Sequence, residues 1–222
     1  MGTYGGSCSN RTSETSGTRT RITALTVGET GIITSFCCYM TASGNIKLKI
    51  FRSSGSDWVF VGESDLKSVS VGLNSSLSCS ISVQNGDYIG FYIESSAGIE
   101  SDEVYAYQYD VGYEVTGTLA KSSWNYVNYN HPHSLQVTVS ACSTYDDVYV
   151  HTGAPGDDAN CGQSSLYPVK TFARAYVLLN ASGTIHVLNS GADFSAETVT
   201  RNKSYYIDLN GASGYFYDAK AT

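Results

Sequence analysis

Between Ile22 and Val139 the chain alternates apolar and polar side chains with a period of two, and turn-forming residues interrupt it at the roughly 8- to 12-residue spacing of short antiparallel strands. Ile46-Lys47-Leu48-Lys49-Ile50 is the cleanest stretch: it places Ile46, Leu48 and Ile50 on one face and both lysines in water. The same period recurs from Leu77 to Val83. Between such runs stand Ser43-Gly44-Asn45, Ser54-Gly55-Ser56-Asp57, Gly72-Leu73-Asn74, Gln84-Asn85-Gly86-Asp87 and Ser96-Ala97-Gly98, which read as turns. About ten strands are expected, near 22–27, 31–40, 46–52, 57–63, 66–71, 76–83, 87–94, 103–110, 113–118 and 134–140. The fold class is therefore all-β, with an antiparallel sandwich over 21–140 that is jelly-roll-like if its connections cross over.

Residues 1–20 carry almost no apolar side chains and read as a flexible N-terminal arm, either disordered or ordered only against a neighbouring subunit. Residues 141–147 read as a linker. From 148 onward the pattern changes. Phe172, Ala175, Tyr176 and Leu179 stand at helical spacing, with Asn180-Ala181-Ser182-Gly183 ending the helix, and Thr184 to Leu188 then reads as a strand.

The segment from Val71 through Gln84-Asn85-Gly86-Asp87 to Tyr92 resembles a pattern of jelly-roll modules in secreted and virion proteins. Its physical content is that Asn85-Gly86 supplies positive φ, Asp87 accepts turn hydrogen bonds and Gly90 permits close approach. Further on, Val148-Tyr149-Val150, Gly153, Gly156-Asp157-Asp158, Cys161-Gly162, Pro168, Lys170-Thr171, Ala175, Gly183-Thr184-Ile185-His186-Val187 and Tyr206-Ile207-Asp208-Leu209-Asn210-Gly211 follow in order. From Asp147 to Gly211 this resembles the N-terminal region of right-handed parallel β-helix proteins, the pectin-lyase-like superfamily that includes surface adhesins and phage tailspikes. The resemblance implies that 148–222 holds the capping helix and first rungs of a parallel β-helix. Only a few rungs fit before Thr222, so it implies an incomplete coil continued by more chain or covered by another subunit.

A net charge of −7 repels phosphate backbones, and no basic cluster interleaved with aromatics is present, so nucleic acid is not an expected partner. No apolar run reaches the roughly 18 to 20 residues that span a bilayer, and membrane insertion is not expected. Met1-Gly2-Thr3-Tyr4 lacks the basic and apolar regions of a secretory signal; either such a signal has been removed, or the protein reaches its destination without one, as a virion component that assembles in a host cytoplasm does. The 6 Cys residues form no CxxC pair, which argues against structural zinc. Cys37 and Cys79 read as small buried residues, adjacent Cys37 and Cys38 must face opposite ways, and Cys142 and Cys161 can bridge a turn-rich loop.

Catalytic residues are not expected. Asp146-Asp147 and Asp157-Asp158 are the paired carboxylates, but neighbours on a strand face apart and Asp in a Gly-rich loop commonly satisfies the turn backbone. Asp157, Asp158 and Asn160 offer oxygens to Ca²⁺, short of the six to eight it takes. His131-Pro132-His133 is read as a solvated turn rather than a metal chelate. The aromatics are more suggestive: Trp124 with Tyr105, Tyr107, Tyr109, Tyr126 and Tyr129 could stack on sugar faces, form a subunit contact or fill half-buried sheet surface. Asn10, Asn74, Asn180 and Asn202 head glycosylation sequons that matter only in a glycosylating host.

The expected function is a structural attachment module of a virion fibre or tailspike-like protein. The resemblance implies a homo-oligomer of trimeric type, associated with other virion or surface proteins and a glycan ligand. The alternative is a secreted or cell-surface adhesin or carbohydrate-binding protein, including the N-terminal part of a polysaccharide-processing enzyme.

Overall fold

Strand β5 (Gly44–Ser54), with Ile46, Leu48, Ile50, Lys49 and Phe51 all fully buried, is packed on both faces, and the first unit is built around it. The computed structural model describes residues 1–101, 108–127, 133–158, 160–194 and 204–209. The chain divides into two compact units, Met1–Ala141 and Cys142–Thr222.

In the first unit the described strands run β1 (Gly2–Gly5), β2 (Ser13–Ser16), β3 (Arg19–Thr26), β4 (Gly31–Ala42), β5, β6 (Asp57–Glu63), β7 (Lys67–Val69), β8 (Gly72–Val83), β9 (Tyr88–Ile93), β10 (Gly98–Ser101), β11 (Gln108–Val111), β12 (Leu119–Ala120), β13 (Asn125–Val127) and β14 (Leu135–Ala141). All pair antiparallel, in two sheets. One has the order β1-β14-β4-β10-β2 with β8 also on β4; the other has β12-β6-β5-β9-β3-β11-β13 with β7 also on β5. The main core lies between them: Ile33, Phe36, Cys38, Met40, Ile81, Val83, Val137 and Val139 from the first sheet meet Ile46, Leu48, Ile50, Ile89, Phe91 and Ile93 from the second. This is the sandwich-like, all-β body that the alternation predicts.

Four expectations need correction. Residues 1–20 are not a free arm here: β1 pairs β14, β2 pairs β10, and β3 begins at Arg19. These segments gain order from ladder hydrogen bonds and from a Cys8–Cys37 disulfide rather than from apolar burial of their own. Cys37 is accordingly bonded, and its neighbour Cys38 takes the core position while Cys79 is only partly buried. Residues 113–118 are not a strand; they cross over the outer face of the second sheet, where Val115 is buried. Lys49 is not in water, because that crossing segment covers it. The predicted strand near 103–110 is described only as β11, since 102–107 lie outside the described residues.

A buried ammonium must be fully hydrogen-bonded or it costs several kcal/mol. The Lys49 Nζ donates to the Glu63 carboxylate, to Glu114 Oε1 at 2.9 Å and to the Val115 carbonyl at 2.8 Å, so its three donors are used. Lys47 Nζ reaches the same two carboxylates, at 2.9 and 2.7 Å. Partial burial pushes the Glu114 carboxyl upward, but the hydrogen bonds from Lys47 and Lys49 outweigh it and hold the group below its ordinary value. The turn at 84–87 is equally determined: Gly86 has φ 91°, Asp87 accepts from Gln84 N at 2.8 Å, and Arg52 clamps it from both sides at 2.7 and 2.9 Å.

The second unit is described by β15 (Tyr145–Val150), α1 (Phe172–Leu178), β16 (Leu179–Val187) and β17 (Tyr205–Asp208), with the three strands parallel in the order β15-β16-β17. Thr171 caps the helix by accepting from Arg174 N at 3.1 Å. The helix is shorter than its spacing suggests: it stops at Leu178, and Asn180–Gly183 continue as strand with an irregular register and Ser182 at φ 65°. Leu178 and Leu179 are both buried, which draws the chain straight from helix into strand. Val148 pairs with Ile185 and Ile185 with Ile207, so β-branched residues stack in one column beneath α1. Cys142 is bonded to Cys161. No helix among the described residues is long and apolar enough to cross a membrane.

Replacing Lys49 by Met is expected to lower unfolding free energy by about 3 kcal/mol, because two carboxylates lose their buried partner, while Lys47→Met costs under about 1 kcal/mol. Urea titration measures both. Glu114, with its folded pKa depressed, contributes stability that is present above its unfolded value near 4.3 and is lost as pH falls through the lower folded one. Glu114→Gln is expected to flatten the stability profile in that acid range. Cys8→Ser is expected to cost about 3 to 4 kcal/mol, the chain-entropy value for a loop of 29 residues, in thermal or urea unfolding.

Candidate functional site

The second sheet curls strongly. Three strands separate β6 from β11, which in a flat sheet would set them roughly 19 Å apart at about 4.8 Å per step. Instead the rings of Trp58 on β6 and Tyr109 on β11 lie 5.0 Å apart, edge to face. The concave side of that curl is partly filled by Ile22, Phe51, Trp58, Val111, Val115 and Trp124. Where the filling stops, a cleft of about 350 Å³ opens, walled by Trp58, Tyr88, Tyr109, Tyr126, Lys121 and Ser53.

Its aromatic walls form a continuous edge-to-face series. Tyr88 meets Trp58 at 4.8 Å, Trp58 meets Tyr109, and Tyr109 meets Tyr126 at 5.6 Å, each pair crossed by 70° or more. Trp58 is only 3% exposed and acts as wall, whereas Tyr126 is 54% exposed and presents ring surface at the mouth. Lys121 Nζ sits 5.0 Å above the Trp58 ring and donates to Ser53 Oγ at 2.7 Å and the Gly55 carbonyl at 2.8 Å.

Of the aromatics chosen from sequence, Tyr126 lines this cleft. Trp124 does not: it is buried against Phe51, rings 5.5 Å apart at 85°, and belongs to the covering core. Tyr105, Tyr107 and Tyr129 lie outside the described residues. Tyr109, part of the same tyrosine series, lines it too, whereas sequence reasoning missed Trp58, Tyr88 and Lys121. Those three come from separate places in the chain, and only the curl of the sheet gathers them.

A second depression, about 390 Å³, lies over the Lys47–Glu63–Glu114 cluster, with Tyr92, Glu94 and Asp65 at its rim. Glycoside hydrolysis needs one carboxyl that keeps its proton near neutral pH, and the lysines push Glu114 in the opposite direction.

On the outer face of the parallel sheet, His186 bridges two carboxylates, with Nε2 on Asp147 Oδ1 at 2.8 Å and Nδ1 on Asp208 Oδ2 at 2.9 Å. Tyr149 stacks on the imidazole at 4.7 Å. Partial desolvation disfavours the imidazolium, but the hydrogen bonds it donates to both carboxylates overcome that and raise the His186 pKa. Asp146 and Asp147 have different partners, Asp146 accepting from Asn180 Nδ2 at 2.9 Å and Asp147 bonding His186.

The Ca²⁺ candidates are engaged with backbone. Asp158 Oδ1 accepts from Lys170 N and Thr171 N, both at 2.8 Å, and Asn160 Nδ2 donates to the Pro168 carbonyl at 2.9 Å. Asp157 joins the same turn, its N–H on Pro168 O at 3.1 Å and its carbonyl accepting from Asn160 N at 2.9 Å. Among the described residues no three His, Cys, Asp or Glu side chains gather so as to hold a metal. His133, read from sequence as part of a solvated turn, is fully buried beside Thr15, Arg21 and Phe91; His131 and Pro132 lie outside the described residues.

No protein-family model matches the chain, and comparison with curated proteins and with solved structures gives no match.

The raised His186 pKa fixes a sign. Its contribution to stability is fully present below the unfolded value of about 6.5 and is lost as pH rises through the higher folded value. NMR titration of the His186 ring is expected to give a midpoint above 6.5 that drops towards it in Asp147→Asn.

Proposed function

We propose that this protein is a non-enzymatic attachment module of an elongated surface assembly, a virion fibre or tailspike-like protein, in which the sandwich engages a glycan. The aromatic cleft carries the reading. Edge-to-face tyrosines around a half-exposed ring give flat apolar patches beside hydroxyl groups, the pairing that a sugar's C–H face and hydroxyl rim require. Among the described residues the cleft lining holds no carboxyl group and no metal-holding cluster.

The second unit supports the elongated half of the proposal. Asn189 is tied through both amide atoms to Thr152, 37 residues earlier, and His186 to Asp208, 22 residues later. Equivalent positions that return in parallel register, with a helix packed against the first strands, are what the start of a parallel β-helix requires. A jelly-roll connectivity for the sandwich and a trimeric homo-oligomer, associated with other virion or surface proteins, belong to the same reading.

The disulfides favour a second one, a secreted or cell-surface adhesin or carbohydrate-binding protein, because such bonds persist in oxidising compartments. In that reading the chain could also begin a polysaccharide-processing enzyme. The sequon residue Asn74 accepts from Ser70 N through Oδ1 and donates through Nδ2 to the Ser70 and Gly72 carbonyls; a glycan there would replace one Nδ2 hydrogen and remove one of the two donated bonds.

Mass and symmetry of the native particle, measured with binding of the intact chain to a glycan array, test the proposal. A trimer that binds glycans saturably, weakened about three- to tenfold by Tyr126→Ala, is expected. A glycosylated monomer would move the protein to the second reading, and an array without any bound glycan would end both.

A further inference from the structure

We propose that the ligand of the aromatic cleft is an acidic sugar, a pyranose bearing a carboxylate, held with its ring on Tyr126 and its carboxylate on Lys121. The inference rests on the glycan-binding reading above and adds the charge of the ligand.

Lys121 carries the argument because of what surrounds it. The cations that line or flank the second sheet are otherwise matched with carboxylates: Lys47 and Lys49 with Glu63 and Glu114, Arg52 with Asp87, Arg19 and Arg21 with Asp110. Lys121 is held differently. Its ammonium is fixed by a serine hydroxyl, a backbone carbonyl and an indole face, all uncharged, and no carboxylate lies within ion-pair distance among the described residues. Asp57, opposite Ala120 in the β6–β12 register, is the adjacent acid, yet it accepts from Ser56 and forms no ion pair with Lys121.

An ammonium has three donors, and two are used. Among the described residues the side chain is thus pinned at the cleft wall with its charge and one N–H still to be matched. Pinning removes the rotamer entropy that an exposed lysine normally loses on binding an anion, so the site is preorganised for negative charge. In a protein of net charge −7 such a patch also stands out against a repulsive background, which favours a small anion over a polyanionic surface.

The rest of the cleft sets the ligand class. About 350 Å³ is at the lower end of the roughly 300 to 1,000 Å³ typical of small-molecule sites, enough for one or two sugar rings. Tyr126, on the same cleft as Lys121, offers the exposed ring face. A ligand that joins a flat C–H face to a carboxylate satisfies both, as a uronic acid does.

Isothermal titration of the intact chain with uronic acid oligosaccharides, and with the same oligosaccharides after reduction of the carboxyl to a neutral alcohol, tests this. The acidic form is expected to bind at least about tenfold more tightly, with affinity falling as salt rises. Lys121→Gln is expected to erase that difference, Lys121→Arg to keep most of it, and Tyr126→Ala to weaken both forms alike. Near-ultraviolet circular dichroism of each variant establishes that the fold is kept. Equal or tighter binding of the reduced sugars, or a preference for acid that survives in folded Lys121→Gln, overturns the inference while leaving the glycan-binding reading in place. Absence of binding to any sugar overturns both. Tighter binding of an acidic peptide than of the uronic sugars also overturns the inference.

Discussion

A strand buried on both faces governs the first unit. One side of β5 delivers Ile46, Leu48 and Ile50 to the space between the sheets, and the other delivers Lys49 and Phe51 to a second, smaller interior. That second interior exists only because the chain after β11 returns across the sheet. Glu114 and the Val115 carbonyl arrive with it to neutralise Lys49, and Trp124 arrives to cover Phe51. The same return leaves Lys121 and Tyr126 at the margin of the cover. The aromatic cleft is thus the border of a core, and the ion cluster that permits one permits the other.

The second unit solves its packing by a different rule. Its strands are parallel, so side chains at equivalent positions lie directly over one another, and inner and outer columns separate cleanly. Val148, Ile185 and Ile207 form the inner column, while Tyr149, His186 and Asp208 form the outer one. Stacking like with like is favourable for aliphatic residues. Charged residues need alternating sign, which His186 between Asp147 and Asp208 supplies.

Much of the strand framework was legible in sequence, because alternation between Ile46 and Ile50 or Leu77 and Val83 directly encodes one apolar face. What alternation cannot encode is whether the opposite face meets water or a covering segment. Lys49 shows this: its charge argues for solvent, and only distant Glu63 and Glu114 make burial tolerable. The N-terminal strands were illegible for a related reason, since Gly2–Gly5 and Ser13–Ser16 contribute backbone to a ladder rather than side chains to a core. In the candidate site, Tyr126 stood out as one of a tyrosine-rich series, but Trp124 drew the same reasoning and proved to be core. Trp58 and Lys121 gave no local signal, because their roles depend on sheet curvature that no short stretch of residues specifies.

The placement of Cys38 bears on how the oxidised chain keeps its connectivity. It is the sequence neighbour of Cys37, so its thiol is a ready candidate to attack the Cys8–Cys37 bond and shuffle it. Strand pleating turns it to the opposite side, into the apolar interior, where desolvation pushes its pKa up to about 12. At neutral pH only about one such thiol in 10⁵ is a thiolate, and thiolate is the species that exchanges. Cys79, pushed up to about 11 for the same reason, is similarly quiet. Two reduced sulfurs therefore coexist with two bridges in one chain, because the interior buries one thiol, partly covers the other, and disfavours the thiolate of both.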